Sequence, residues 1–297
     1  MESIRSNTRV KWAELLPDEF LKRQEVCPLV YLPMGLCEPH GYISAFGLDT
    51  IKAEYICEAA AKKVGGIVAP TQGYHIHETG YHAPWLEEVL GEVNPYMTSI
   101  PPDILLHLFL YQLRAFYNAG FKAVIVISGH AGGNQEDLRL VASAFMNKFS
   151  MRIEVRADPE LVEDQYEGDH AGKYEISQLM HIRPDLIDMT KISKQFEEKS
   201  LGRFAIGIDA DQASSQLGEK IIGLCIEKTC EIAEEITRSL TRNHAFSRIN
   251  FEEIEDLWKN IERQQKNWTT WNLHEGQSPA GNESSWKTHE SFYRLPE

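Results

Sequence analysis

Basic residues are scarce in this chain: 30 Lys and Arg stand against 44 Asp and Glu, a formal charge of −14. Nucleic-acid phosphates call for clustered Lys and Arg, so no nucleic-acid partner is expected. Cysteine is sparse as well. The five thiols, Cys27, Cys37, Cys57, Cys225 and Cys230, are odd in number and form no CxxC pair. That pattern predicts free thiols and a cytoplasmic location rather than a disulfide framework. Long apolar runs are missing, and a membrane span needs roughly 20 apolar residues, so no membrane segment is expected. Met1 to Lys11 is polar and charged, without the apolar core of a signal peptide. The glycosylation-type triplets at Asn267 and Asn282 therefore read as chance matches. There is no internal repeat and no low-complexity stretch. What is present is ordinary for a globular protein, with 42% hydrophobic and 25% charged residues. At 297 residues the chain can bury a sizeable core as one large α/β domain or two smaller ones.

The apolar pattern alternates between short buried runs and helical periods. Leu29 to Met34, Gly66 to Ala69, Ala123 to Ile127 and Arg152 to Ala157 read as strands. Helical spacing covers Asp49–Lys63, Pro101–Ala119, Gln135–Phe149, Gly172–His181, Ser215–Leu240 and Phe251–Gln264. Strands alternating with helices imply an α/β fold with a mostly parallel sheet and helices on both faces. Ligands of such sheets bind beyond the carboxyl ends of the strands.

Three Gly- or Pro-rich patches follow that rule or lie near it. They are Glu38-Pro39-His40 with Asp49, Gly129-His130-Ala131-Gly132-Gly133-Asn134, and Asp169-His170-Ala171-Gly172 with Glu175. Together they supply carboxylates and imidazoles, the donors that suit zinc, manganese or iron. Asp49 follows Glu38 by eleven residues and His40 by nine, so the intervening loop can fold back and aim all three inward. Structural roles compete at several positions. Asp49 is placed to cap the helix beginning near Thr50, Asn134 to cap the next helix, and Asp169 or His170 to cap a third. Glu175 reads as a ligand from the first helical turns, which leaves His170 free for proton transfer.

In their order the patches resemble the creatininase family of metal-dependent amidohydrolases, over roughly Val30 to Leu240. The resemblance implies one three-layer α/β/α domain, spanning residues 1–250, and a homo-oligomer, a hexamer or other assembly of dimers. It also implies two divalent ions per chain (zinc, manganese or iron). Glu38, Asp49 and His130 would hold one, and His40, Asp49 and Glu175 the other, with Asp49 bridging. Two ions sharing a carboxylate lower the pKa of a water between them, giving a hydroxide to attack a carbonyl carbon of a small polar, cyclic-type amide. His170 would then protonate the leaving nitrogen. Ring opening of a keto-inositol is the alternative chemistry, and a non-catalytic metal-binding role the alternative class. Creatininase itself carries Gly-His-Tyr-Glu-Asn after the strand, where this chain has Gly132 in place of the Glu. It also has an aromatic Trp over its substrate where Tyr166 stands. Both departures point away from creatinine.

The loop Tyr74-His75-Ile76-His77-Glu78-Thr79-Gly80-Tyr81-His82 has three readings: a substrate loop using Tyr74, His75 and His77 along with Tyr166, a further metal site, or an ordinary surface loop. Cys37 reads as a small packing residue, since no base motif supports a nucleophile. Residues 251–297 form a charged amphipathic helix and a polar tail. The tail holds Trp268, Trp271 and Trp286, more tryptophan than a disordered segment carries, so part of it is expected to dock on the domain or a neighbouring subunit.

Overall fold

The structure, a computed structural model, describes residues 9–90, 96–196, 205–240 and 247–284. Among these residues four strands form one sheet: β1 (Leu29–Met34), β2 (Ile67–Val68), β3 (Ala123–Ser128) and β4 (Arg152–Ala157). Their order is β2-β1-β3-β4, and every pairing is parallel. β1 and β3 are apolar at nearly every position because both of their faces are covered, as a central parallel strand requires.

Among the described residues eight α-helices accompany the sheet: α1 (Pro17–Val26), α2 (Leu48–Val64), α3 (His82–Trp85), α4 (Pro102–Asn118), α5 (Asn134–Lys148), α6 (Lys173–Ile182), α7 (Ser215–Ser239) and α8 (Phe251–Glu262). Alternate strand residues sort them into two layers. Val30, Leu32, Val124 and Val126 face α4, α5 and α8 through Phe109, Leu113, Leu138, Phe145 and Ile254. Leu29, Tyr31, Ile125 and Ile127 face α2 and α7 through Ile56, Ala60, Ile221 and Cys225. The result is the three-layer α/β/α architecture.

Three details differ from the sequence expectations. Helix α2 begins at Leu48 with Gly47 at its cap, so Asp49 lies inside the first turn and its carboxylate is fully buried rather than capping. Gly133, not Asn134, caps α5; its φ of 83° is left-handed, which glycine adopts freely. Pro17–Val26 forms a helix that apolar periodicity does not announce, started by Pro17 at its first position.

The segment after α8 packs on the domain. Trp268 is fully buried in the same core as Trp258. Backbone N–H groups of Thr269 and Thr270 donate to the Asp137 carboxylate at 2.6 and 2.9 Å. Trp271 lies partly buried against this core, while Trp286 falls outside the described residues.

Candidate metal centre

Every strand of the sheet delivers polar side chains at its carboxyl end. Chain leaving β1 carries Glu38 and His40, chain leaving β2 carries His75 and His77, β3 leads to His130, and β4 to Asp158. The first turns of α2 and α6 add Asp49 and Glu175. The backbones meet closely: a Cβ at Gly129 would sit 2.1 Å from the Asp49 carbonyl oxygen, so only glycine fits there. On the third patch, Ala171 holds a φ of 51°, a strained conformation for a residue with a Cβ, and its N–H donates to Glu175 Oε2 at 2.8 Å.

The five expected ligands converge. His40 Nε2 lies 3.3 Å from Asp49 Oδ1 and 3.3 Å from Glu175 Oε2. His130 Nδ1 lies 2.9 Å from Glu38 Oε1 and 3.5 Å from Asp49 Oδ2. Asp49 thus turns one oxygen toward each imidazole. All five side chains are buried. Among the described residues three donor triads have ligand atoms within 4.8 Å of one another: His40/Asp49/Glu175, Glu38/His77/His130 and Glu38/His40/His170.

These contacts fit shared cations better than a hydrogen-bond network. Glu38 Oε2, His40 Nε2 and both Asp49 oxygens are buried without a hydrogen-bond partner, although basic or acidic atoms lie close by. Buried polar groups are normally paired. Two donors of one ion, each about 2.1 Å from it and about 90–109° apart, are separated by roughly 3.0–3.4 Å, close to the spacing of these pairs. The donor set, carboxylates and imidazoles without thiolates, suits zinc, manganese or iron.

Lys52 belongs to none of the three sequence patches, yet it reaches the centre. Its ammonium is buried and sits 2.6 Å from Glu175 Oε1, 3.1 Å from Asp158 Oδ1 and 4.0 Å from Asp49 Oδ1. Asp158 also accepts from Tyr174 Oη and Gln178 Nε2, both at 2.9 Å. The sequence holds one signal for this lysine: it shares a helix face with Leu48 and Ile56, four residues to either side, where an apolar residue belongs.

The fields within the cluster are strong. Burial pushes the Glu38 carboxyl up, but His130, His77 and His170 outweigh it and hold the group well below the carboxylate range. Burial likewise pulls His130 down, yet Glu38 and Asp49 override it and raise the imidazole to about 10. His40 behaves in the same way, raised by Asp49 and Glu175 against its desolvation. His170 differs: desolvation prevails and lowers it below the ordinary histidine value, which favours the neutral ring.

His170 stacks on His40 at 4.9 Å, with Nε2 3.1 Å from the Pro39 carbonyl. It lines both cavities at the cluster. One, of about 440 Å³, includes Glu38, His130, Asp169 and Glu175. The other, of about 280 Å³, includes His77, His82, Trp85, Gly132, His274 and Gln277. The loop residues separate. His77 joins the cluster, with Nε2 3.0 Å from Glu38 Oε2. His75 is fully buried behind it, accepting from the Ile76 N–H and lying 3.3 Å from Ser128 Oγ. Tyr74 is 53% exposed and lines neither cavity. Tyr166 packs half-buried against the apolar layer beneath α7. Cys37 is a free thiol whose pKa burial and Asp49 raise, against Thr98 and His40, so it is a poor nucleophile.

A parallel α/β/α domain with buried carboxylates and imidazoles gathered at its strand ends is the form of a metal-dependent hydrolase. The family model described as creatinine amidohydrolase matches residues 13–233, and the chain belongs to the creatininase family. A curated relative, the creatinine amidohydrolase of Pseudomonas putida, is 22% identical over 239 residues, covering 70% of this chain and 89% of that protein. The 3-dehydro-scyllo-inosose hydrolase of Thermotoga maritima is 26% identical over 123 residues; the match spans 41% of this chain and 36% of that protein. A crystal structure of creatininase superposes with a TM-score of 0.63 at 20% identity, covering 79% of this chain and all of that one. A manganese form, titled "Creatininase Mn", gives 0.62 at 21% identity over 76% and 98% of the two chains.

Proposed function

We propose that this protein is a dinuclear metal hydrolase that cleaves a C–N bond in a small polar, cyclic-type amide. Asp49 carries the proposal: it is buried between two donor sets and turns one unpartnered oxygen to each. Glu38, Asp49 and His130 would hold one ion, and His40, Asp49 and Glu175 the second, Asp49 being shared, with zinc, manganese or iron as the metals. When bound, such a pair lowers the pKa of water toward neutrality and polarises a carbonyl.

The chain's own groups do the rest. Lys52 fixes Glu175 through Oε1 and leaves Oε2 facing His40. His170, its pKa lowered by desolvation and its ring open to both cavities, can take a proton and deliver it to the leaving nitrogen. The substrate would enter between Trp85, which meets His170 edge-on at 5.3 Å, and the His274–Gln277 wall. Ring opening of a keto-inositol is the second reading, favoured by the partial likeness to the inosose hydrolase. A cytoplasmic homo-oligomer assembled from dimers completes the proposal. The apolar side chains of Leu16, Leu21 and Val26, about 60% exposed, are available for subunit contact.

The test is product analysis by mass spectrometry, with metal-reconstituted protein and a panel of cyclic amides and keto-inositols. Metal-dependent release of an opened amide supports the first reading, and turnover of keto-inositols alone the second. Turnover that persists after complete chelation would sink both.

A further inference from the structure

We propose that His77 is a direct ligand of the ion held by Glu38 and His130, so that this position carries two imidazoles. The inference rests on the dinuclear centre proposed above and adds a donor to it.

Glu38 is flanked on both sides. Its Oε1 meets His130 Nδ1 at 2.9 Å, and its Oε2 meets His77 Nε2 at 3.0 Å. The first contact has hydrogen-bond geometry and the second does not: Oε2 has no hydrogen-bond partner despite the nearby imidazole. An ordinary Glu–His ion pair would align the N–H on the oxygen. Two donors aimed at one cation need not align with each other; they need only the separation of about 3.0–3.4 Å set by a common ion. His77 is 4% exposed, and its Nδ1 is likewise buried without a partner.

The surroundings are shaped for imidazole. The His77 ring lies 4.9 Å from that of His130 and 4.7 Å from that of His82. His82 occupies the space beside residue 132, where a Cβ would meet its Cε1 at 2.8 Å. Gly132 thereby allows a second histidine to back His77, and a side chain at position 132 would displace it. The two metal positions then differ in chemistry. With Asp49 shared, Glu38, His77 and His130 offer two nitrogens beside two carboxylates, whereas His40, Asp49 and Glu175 offer one nitrogen beside two carboxylates. The nitrogen-rich position should select zinc or iron, and the oxygen-rich one should accept manganese more readily.

The test is X-ray absorption on zinc-loaded protein, wild type and His77→Cys, with zinc competition titrations on His77→Gln. A sulfur at about 2.3 Å from zinc in His77→Cys, absent from wild type, is the expected result, because only a direct ligand places a thiolate there. His77→Gln should weaken one of two zinc ions by more than the roughly 10–100-fold that loss of an outer partner costs. Two full-affinity zinc ions in His77→Gln, with no sulfur ligand in His77→Cys, would overturn His77 as a ligand while leaving the dinuclear centre standing. Wild type that takes up no zinc would remove the dinuclear centre, and this inference with it. The spectrum of His77→Cys decides the point even if His77→Gln folds poorly.

Discussion

Lys52 Nζ lies 2.6 Å from Glu175 Oε1, a buried ion pair that joins the N-terminal parts of two helices through residues 123 apart in sequence. Asp158 completes it at 3.1 Å. Lys52 thus supplies a fixed positive charge on the side of Glu175 turned away from His40. Its pKa is raised despite desolvation, because Asp158, Glu175 and Asp49 all face it.

Lys52→Met should therefore destabilise the metal-free protein by about 3–5 kcal/mol, since it leaves buried carboxylates uncompensated. Bound metal would restore part of that charge balance. Urea unfolding with and without saturating zinc would show a smaller deficit in the loaded protein. An equal deficit in both states would argue that Lys52 does not act on the metal ligands.

His170→Ala should retain both ions and lose turnover by about 10²–10⁴-fold, the usual value of one positioned proton transfer. Because His170 also forms a donor triad with Glu38 and His40, metal content must be measured on the same preparation. An emptied site would make His170 a ligand rather than the acid.

Metal binding should release protons. His130 is raised to about 10 and His40 is raised as well, both by the carboxylates they face, so the metal-free protein favours protons on both imidazoles. An ion needs their lone pairs, so loading near pH 7.5 should displace about two protons, and affinity should climb with pH. Calorimetry in buffers of different ionisation enthalpy reads this directly. A heat independent of buffer would contradict protonated His40 and His130 in the metal-free centre.

His274 and Gln277 lie beyond the residues matched by the family model yet line the smaller cavity. His274 packs on Tyr81 at 3.8 Å, and Gln277 donates to the Tyr81 carbonyl at 3.0 Å. Replacing both with alanine should raise KM several-fold while metal content stays at the wild-type level. Unchanged kinetics would mean the substrate does not reach this wall.

Much of this cluster was legible in the sequence because carboxylates and imidazoles on turns after buried strands announce themselves. Glu38, His40 and His130 sit in Gly- and Pro-rich breaks of an otherwise periodic pattern, and Glu175 opens the helix that follows the third break. Asp49 carried two signals, helix cap and ligand; its place inside the first turn of α2, behind the cap Gly47, removes the cap reading and leaves the ligand reading as the proposal. Lys52 was hidden because a lysine in a helix ordinarily reads as a surface residue, and only its tertiary partners reveal it. The histidines of the 74–82 loop could not be ranked by spacing. Chain direction after β2 sends His77 to Glu38 and His75 into the core behind it. The docking of Trp268 likewise depends on a distant partner: Asp137, 132 residues before Thr269, holds the adjoining turn.

The most direct test of the dinuclear centre is elemental analysis of chelator-free protein, wild type beside Asp49→Ala. About two divalent ions per chain in wild type and almost none in Asp49→Ala is the predicted result, because Asp49 would serve both positions. Wild type that carries no metal, and takes up no zinc, manganese or iron on reconstitution, would contradict it.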